Sequence, residues 1–145
     1  MNWTRLKVLD LCVSLPELSN LKHLEIDGLN FSDKYLRVIL SRLPHLRHFS
    51  NAFNISLLDF TALNDTTLFS LNLSNTYFPQ KNCSLPVTLK FLDLSYTRVG
   101  KDDLFSILKR CVSLEKIILF GTEVASERLD ALSQTFHLDI VVSER

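Results

Sequence analysis

The sequence has no long apolar run, no surplus of either charge and few cysteines, and each absence removes a class of function. Its longest apolar stretches, such as Ile117–Phe120, fall far short of a membrane span. Lys plus Arg and Asp plus Glu number 16 each, so neither a nucleic-acid backbone nor an acidic surface is indicated as the main partner. Lys7 and Asp10 interrupt the only candidate secretory core, at the N-terminus. The 3 cysteines, Cys12, Cys83 and Cys111, are odd in number and widely spaced, which suits neither a disulfide framework nor a zinc site. No phosphate-binding loop, metalloprotease motif or convincing carboxylate pair is present. No cofactor and no enzymatic activity are therefore expected.

Against these absences stand Asn-x-Ser/Thr sequons at Asn2, Asn30, Asn54, Asn64, Asn72 and Asn82. They allow a secreted chain, but an Asn- and Ser-rich sequence also generates sequons by chance. With no export signal beside them, the expected location is cytoplasmic or nuclear.

What is present is a spacing. The 145 residues suit one domain with a continuous core. Leu89, Leu92, Leu94, Thr97 and Val99 share an interval pattern with Leu114, Ile117, Leu119, Thr122 and Val124. Leu68, Leu71, Leu73, Thr76 and Phe78 carry it too, as do Leu21, Leu24, Ile26, Leu29 and Phe31, and Leu6, Leu9 and Leu11. A degenerate copy falls at Leu46, Phe49 and Asn54, and "HLDIVV" around Leu138 reads as a last strand. Successive starts lie 15, 25, 22, 21 and 25 residues apart, and all but the first fall within the leucine-rich-repeat range.

Each leucine trio predicts a short strand with alternate side chains inward, and the threonine after it can bond the backbone as the chain turns away. Helices are predicted over 33–43 behind a Ser32 or Asp33 cap, over 101–110 and over 126–136. The segments 57–67 and 79–88, with Pro79 and Pro86, predict loops or short helical turns. Asp10, Glu25, Asn72 and Asp93 interrupt the strands, so one sheet face is expected to be wet, unlike a doubly covered parallel sheet. The expected fold class is α/β: one leucine-rich-repeat solenoid over 1–145, about six repeats, a right-handed βα superhelix. Its curved parallel sheet would lie inside, with helices and loops on the convex side.

Thr88 to Val124, "TLKFLDLSYTRVGKDDLFSILKRCVSLEKIILFGTEV", resembles the cysteine-containing leucine-rich repeats of F-box proteins. Cys111 stands three residues before Leu114, where that family places its cysteine, and "VGKDD" stands where the family has "ITD". Elsewhere, as in "SLPELSNLKHL", the pattern is that of a generic leucine-rich repeat. The positions three before Leu46 and Leu89 hold Leu43 and Pro86, not cysteine. The resemblance implies the substrate-binding part of a cullin-type ubiquitin ligase receptor. No F-box is present and the pattern begins at Leu6, so the expectation is a fragment or short isoform of a longer protein. Ubiquitin ligase subunits would then join through a segment outside this chain. A leucine-rich scaffold or regulator of another protein is the alternative.

Such solenoids bind through exposed side chains of the concave sheet. The third, fifth and seventh position of each copy give Val8, Asp10, Cys12, His23, Glu25, Asp27, His48, Ser50 and Ala52 in the first half. Ser70, Asn72, Ser74, Phe91, Asp93, Ser95, Lys116, Ile118 and Phe120 make up the second. Apolar residues there are the stronger partner signal, so Phe91, Ile118 and Phe120, with Tyr96 on the rim and Asp93 between, are candidate protein-binding residues. The bland reading is that they pack on one another. His23 and His48 are expected on neighbouring strands beside Glu25, either solvated or sharing a partner's carboxylate or a metal. Cys111 is expected to fill a small buried slot, and Cys12 lacks any base that would make it a nucleophile.

Overall fold

The structure is a computed structural model that describes residues 19–30, 32–55, 60–78, 85–124 and 129–142. The first leucine trio, Leu6 to Leu11, and the candidates Val8, Asp10 and Cys12 lie outside the described residues, as does Cys83.

Among the described residues six short strands form one sheet: β1 (His23–Glu25), β2 (His48–Ser50), β3 (Ser70–Asn72), β4 (Phe91–Asp93), β5 (Lys116–Ile118) and β6 (Asp139–Val141). Each pairs in parallel with the next in chain order. The fold is therefore α/β with an all-parallel sheet. The register aligns the middle residue of every strand, Leu24 with Phe49, then Leu71, Leu92, Ile117 and Ile140. From Leu24 to Ile117 these middle residues are buried, while their neighbours on either side point to the opposite face.

Helices follow β1, β4 and β5. Helix α1 (Asp33–Arg42) buries Leu36, Ile39 and Leu40, and α2 (Lys101–Arg110) buries Leu104, Ile107 and Leu108, one stripe at helical spacing in each case. Helix α3 spans Leu129–Phe136 and buries Leu129; the first residues of the 126–136 expectation lie outside the described set. Acidic residues open and basic residues close α1 and α2, in accord with the helix dipole. Ser32 stands at the N-cap of α1, one of the two places expected, but its hydroxyl makes no cap bond. At α2 the Asp103 carboxylate instead accepts the Gly100 N–H at 3.0 Å, half of a capping box, because glycine has no side chain to return the bond. Between β2 and β3 the described residues hold a 3-10 turn, Thr61–Leu63, within the segment expected to form a loop or short helical turn.

After each of β1 to β5 the chain turns in the same way. Thr76, Thr97 and Thr122 donate their hydroxyls to the carbonyls of Leu73, Leu94 and Leu119 at 2.6, 2.6 and 2.9 Å, as expected from their spacing. One residue earlier the backbone is left-handed, at Gly28, Phe53, Asn75, Tyr96 and Gly121, with φ of 73, 60, 54, 55 and 59°. Each of the first four donates its N–H to the next turn, to the carbonyls of Ala52, Ser74, Ser95 and Phe120. Glycine takes this conformation freely and asparagine tolerates it, whereas an aromatic residue there is strained.

The core is one cluster of leucine, isoleucine and phenylalanine between the sheet and the helices and loops behind it. Cys111 belongs to it, its thiol 3.5 Å from the Pro86 carbonyl and its pKa pushed up to about 11 by burial. Two residues after the middle of each strand, Ile26, Leu73, Leu94 and Leu119 fill this core, but after β2 the place is taken by Asn51. Asn51 is fully buried, and its Nδ2 has no hydrogen-bond partner among the described residues. Its Oδ1 accepts the Asn54 amide at 3.4 Å.

Candidate functional site

The first and third residues of the strands stand side by side on the face away from the helices. In register this face reads His23, His48, Ser70, Phe91, Lys116 and Asp139 along one row. Glu25, Ser50, Asn72, Asp93, Ile118 and Val141 form the other.

His23 and His48 are direct cross-strand partners, and their rings stack at 4.1 Å with 3° between planes. Burial, and secondarily the neighbouring His23, lower the His48 pKa below its usual 6.5. The parallel rings send their lone pairs in parallel directions, which does not bring two nitrogens onto one ion. Among the described residues no group of three or more His, Cys, Asp or Glu is placed to hold a metal. A shallow groove runs from this stack past Glu25, Asp27 and Ser50 to Ser70 and Asn72. Asp27 is already engaged: its Oδ1 accepts the Ser50 hydroxyl at 2.6 Å and the Ala52 N–H at 2.9 Å.

The other half of the face is more apolar. Phe91, Ile118 and Phe120 are all half-buried, in neighbouring strands and turns. Lys116 stands beside Phe91 and reaches Asp139 at 3.4 Å. Asp93 is half-buried, and its Oδ1 accepts the Ser95 N–H at 2.9 Å, so part of this carboxylate holds its own turn. Asn72 does the same for Ser74 at 2.9 Å.

Several positions expected on the open face are not there. Ala52 and Ser95 are buried, the Ser95 hydroxyl without a partner among the described residues, while Ser50 keeps its place on the face but is covered there. The seventh position begins the turn, whose left-handed step tucks small side chains inward. That step also puts other residues outside. Tyr96, which was expected on the rim, is 59% exposed, and Phe53, Ile55 and Tyr77, not anticipated at all, are exposed beside it along the same edge. Only the irregular backbone marks them. Asn54, one of the sequons, is buried and cannot carry a glycan in this fold.

No helix among the described residues is long and apolar enough to cross a membrane. No family model matches the chain, and no curated protein matches it, so its own residues carry the functional reading.

Proposed function

We propose that the chain is a leucine-rich-repeat solenoid whose task is protein recognition, with a partner bound across the open sheet face. One observation carries this reading. The face packed against the helices holds almost nothing but leucine, isoleucine and phenylalanine, whereas the opposite face is chemically mixed: two histidines, then serine, phenylalanine, lysine and aspartate in one row. Packing requires no such variety, and a chemically varied, rigid surface is what a recognition module offers. The binding residues of this reading are His23, Glu25, His48, Phe91, Asp93, Ile118 and Phe120, with Tyr96 at the edge.

The resemblance of Thr88 to Val124 to F-box leucine-rich repeats supports a finer version. In it the module is the substrate-recognition part of a cullin-type ubiquitin ligase receptor, and a segment outside these residues recruits the ligase. The test is affinity capture of the full-length gene product from its own cells beside a Phe91→Ala, Ile118→Ala variant. Ligase subunits in both captures, with another protein lost from the variant, are the expected result. A variant-sensitive partner without ligase subunits makes the module a scaffold or regulator instead. A capture in which no protein depends on the two residues overturns the sheet-face reading.

A further inference from the structure

Along the edge where the chain leaves the strands, a second groove is lined by Ile55, Asn75, Tyr77, Tyr96 and Arg98, with Phe78 at its floor. Ile55 is 74% exposed, Tyr96 59% and Tyr77 47%, so three large apolar surfaces meet solvent within one concavity. Among the described residues no acidic side chain lines it. Of its described lining residues only Arg98 is charged; the guanidinium is held 5.8 Å over the Tyr77 ring, and no carboxylate among the described residues pairs with it.

Tyr96 is held in place rather than loosely hung. Its backbone is left-handed, its N–H donates to the Phe120 carbonyl at 2.6 Å, and its ring lies over Gly121. A Cβ on Gly121 would come within 2.6 Å of that ring, so a glycine is required beneath it. The backbone does not favour tyrosine at this step, whose equivalents are asparagine at residue 75 and phenylalanine at residue 53; of the two aromatics only Tyr96 lines the groove.

We infer that this groove binds a peptide segment of a partner protein that presents a carboxylate next to a large apolar side chain. The carboxylate would lie in the plane of the Arg98 guanidinium, whose fork geometry suits two parallel hydrogen bonds. The apolar side chain would cover Ile55 and the faces of Tyr77 and Tyr96, and would take water from the exposed Arg98 cation on binding, which strengthens the pairing. The site lies at the edge of the sheet, so it goes beyond the sheet-face reading and can fail while that reading stands.

A phage-displayed library of random short peptides, selected on the full chain, tests this directly. The expected winners carry Asp or Glu within a few residues of Leu, Phe, Ile or Trp. A synthetic winner binds about tenfold or more weakly to Arg98→Gln, the size of one lost charge-assisted hydrogen bond. It also weakens against Ile55→Ser, and it binds Phe91→Ala as it binds the native chain. Both test residues are exposed, so the variants should melt with the native protein. Changing the peptide's acid to its amide should cost nothing further in the Arg98→Gln background. Failure to enrich any peptide, winners without an acid, or equal affinity for Arg98→Gln each overturns the inference. If the same winners are instead lost with Phe91→Ala, the sheet face binds them and the edge groove does not.

Discussion

The segment from Leu46 to Leu63 and the segment from Leu89 to Arg110 sit two strands apart in one sheet, yet they are built to different standards. In the second, Leu94 fills the core, Thr97 ties the turn to the Leu94 carbonyl at 2.6 Å, and a ten-residue helix follows. In the first, Asn51 stands in the leucine's place with an unpartnered amide, Asn54 stands where the threonine would be, and a 3-10 turn follows. The backbone path is nonetheless the same, left-handed at Phe53 as at Tyr96. Neighbouring strands and the donated N–H groups therefore impose the turn even where the local sequence argues against it. Tertiary context sets the conformation, and the sequence sets how much it costs.

Exchanging the residues at the shared core position should give effects of opposite sign. Leu94→Asn removes a buried side chain and leaves an unpaired amide, at roughly 3–6 kcal/mol in urea unfolding. Leu92→Ala, on the middle of β4, should cost roughly 2–5 kcal/mol, and Phe120→Ala less, because that ring is half exposed. Equal losses at residues 92 and 120 would make Phe120 a core residue and remove it from the recognition face. Asn51→Leu should stabilise by about 1 kcal/mol: it relieves the unsatisfied Nδ2 and gives up only the 3.4 Å contact with Asn54. A loss there instead would mean that Asn51 is satisfied by groups beyond the described residues. Phe53→Asn, at the left-handed step, should gain up to about 1 kcal/mol in the same melts.

The smallest effect concerns the histidine stack. Because the folded state depresses the His48 pKa below 6.5, the unfolded chain binds more protons in the window just below that value. Stability should be full above about pH 6.5 and fall as pH drops through the lower folded-state pKa. Urea midpoints for native protein and His48→Gln should run parallel above that pH and diverge below it. Parallel lines throughout would mean that the stack is not coupled to folding.

Much of the fold was legible because spacing alone decides it. The leucine trios located β1 to β5, the threonines located their hydroxyl bonds, and the helical stripe placed α2 at Lys101–Arg110. Proximity of His23 and His48 followed from the same alignment, though not their face-to-face stacking. The turn after each strand was not legible. Gly28 and Gly121 hint at a left-handed step, but Phe53 and Tyr96 carry no such mark, so the inward tuck of Ala52 and Ser95 and the outward display of Phe53 and Tyr77 went unforeseen. Asn51 escaped notice for a related reason: a period identifies which positions are core, and it says nothing about a polar residue that occupies one.

The central claim is that one face of the sheet packs and the other recognises. A photo-crosslinking amino acid placed at Phe91, on the open face, and separately at Phe105, an exposed residue of α2, tests it in the full-length protein in its own cells. The account predicts a discrete crosslinked partner from position 91 and none of that mass from position 105. The same partner from 105 and nothing from 91 would place recognition on the helical side and contradict it.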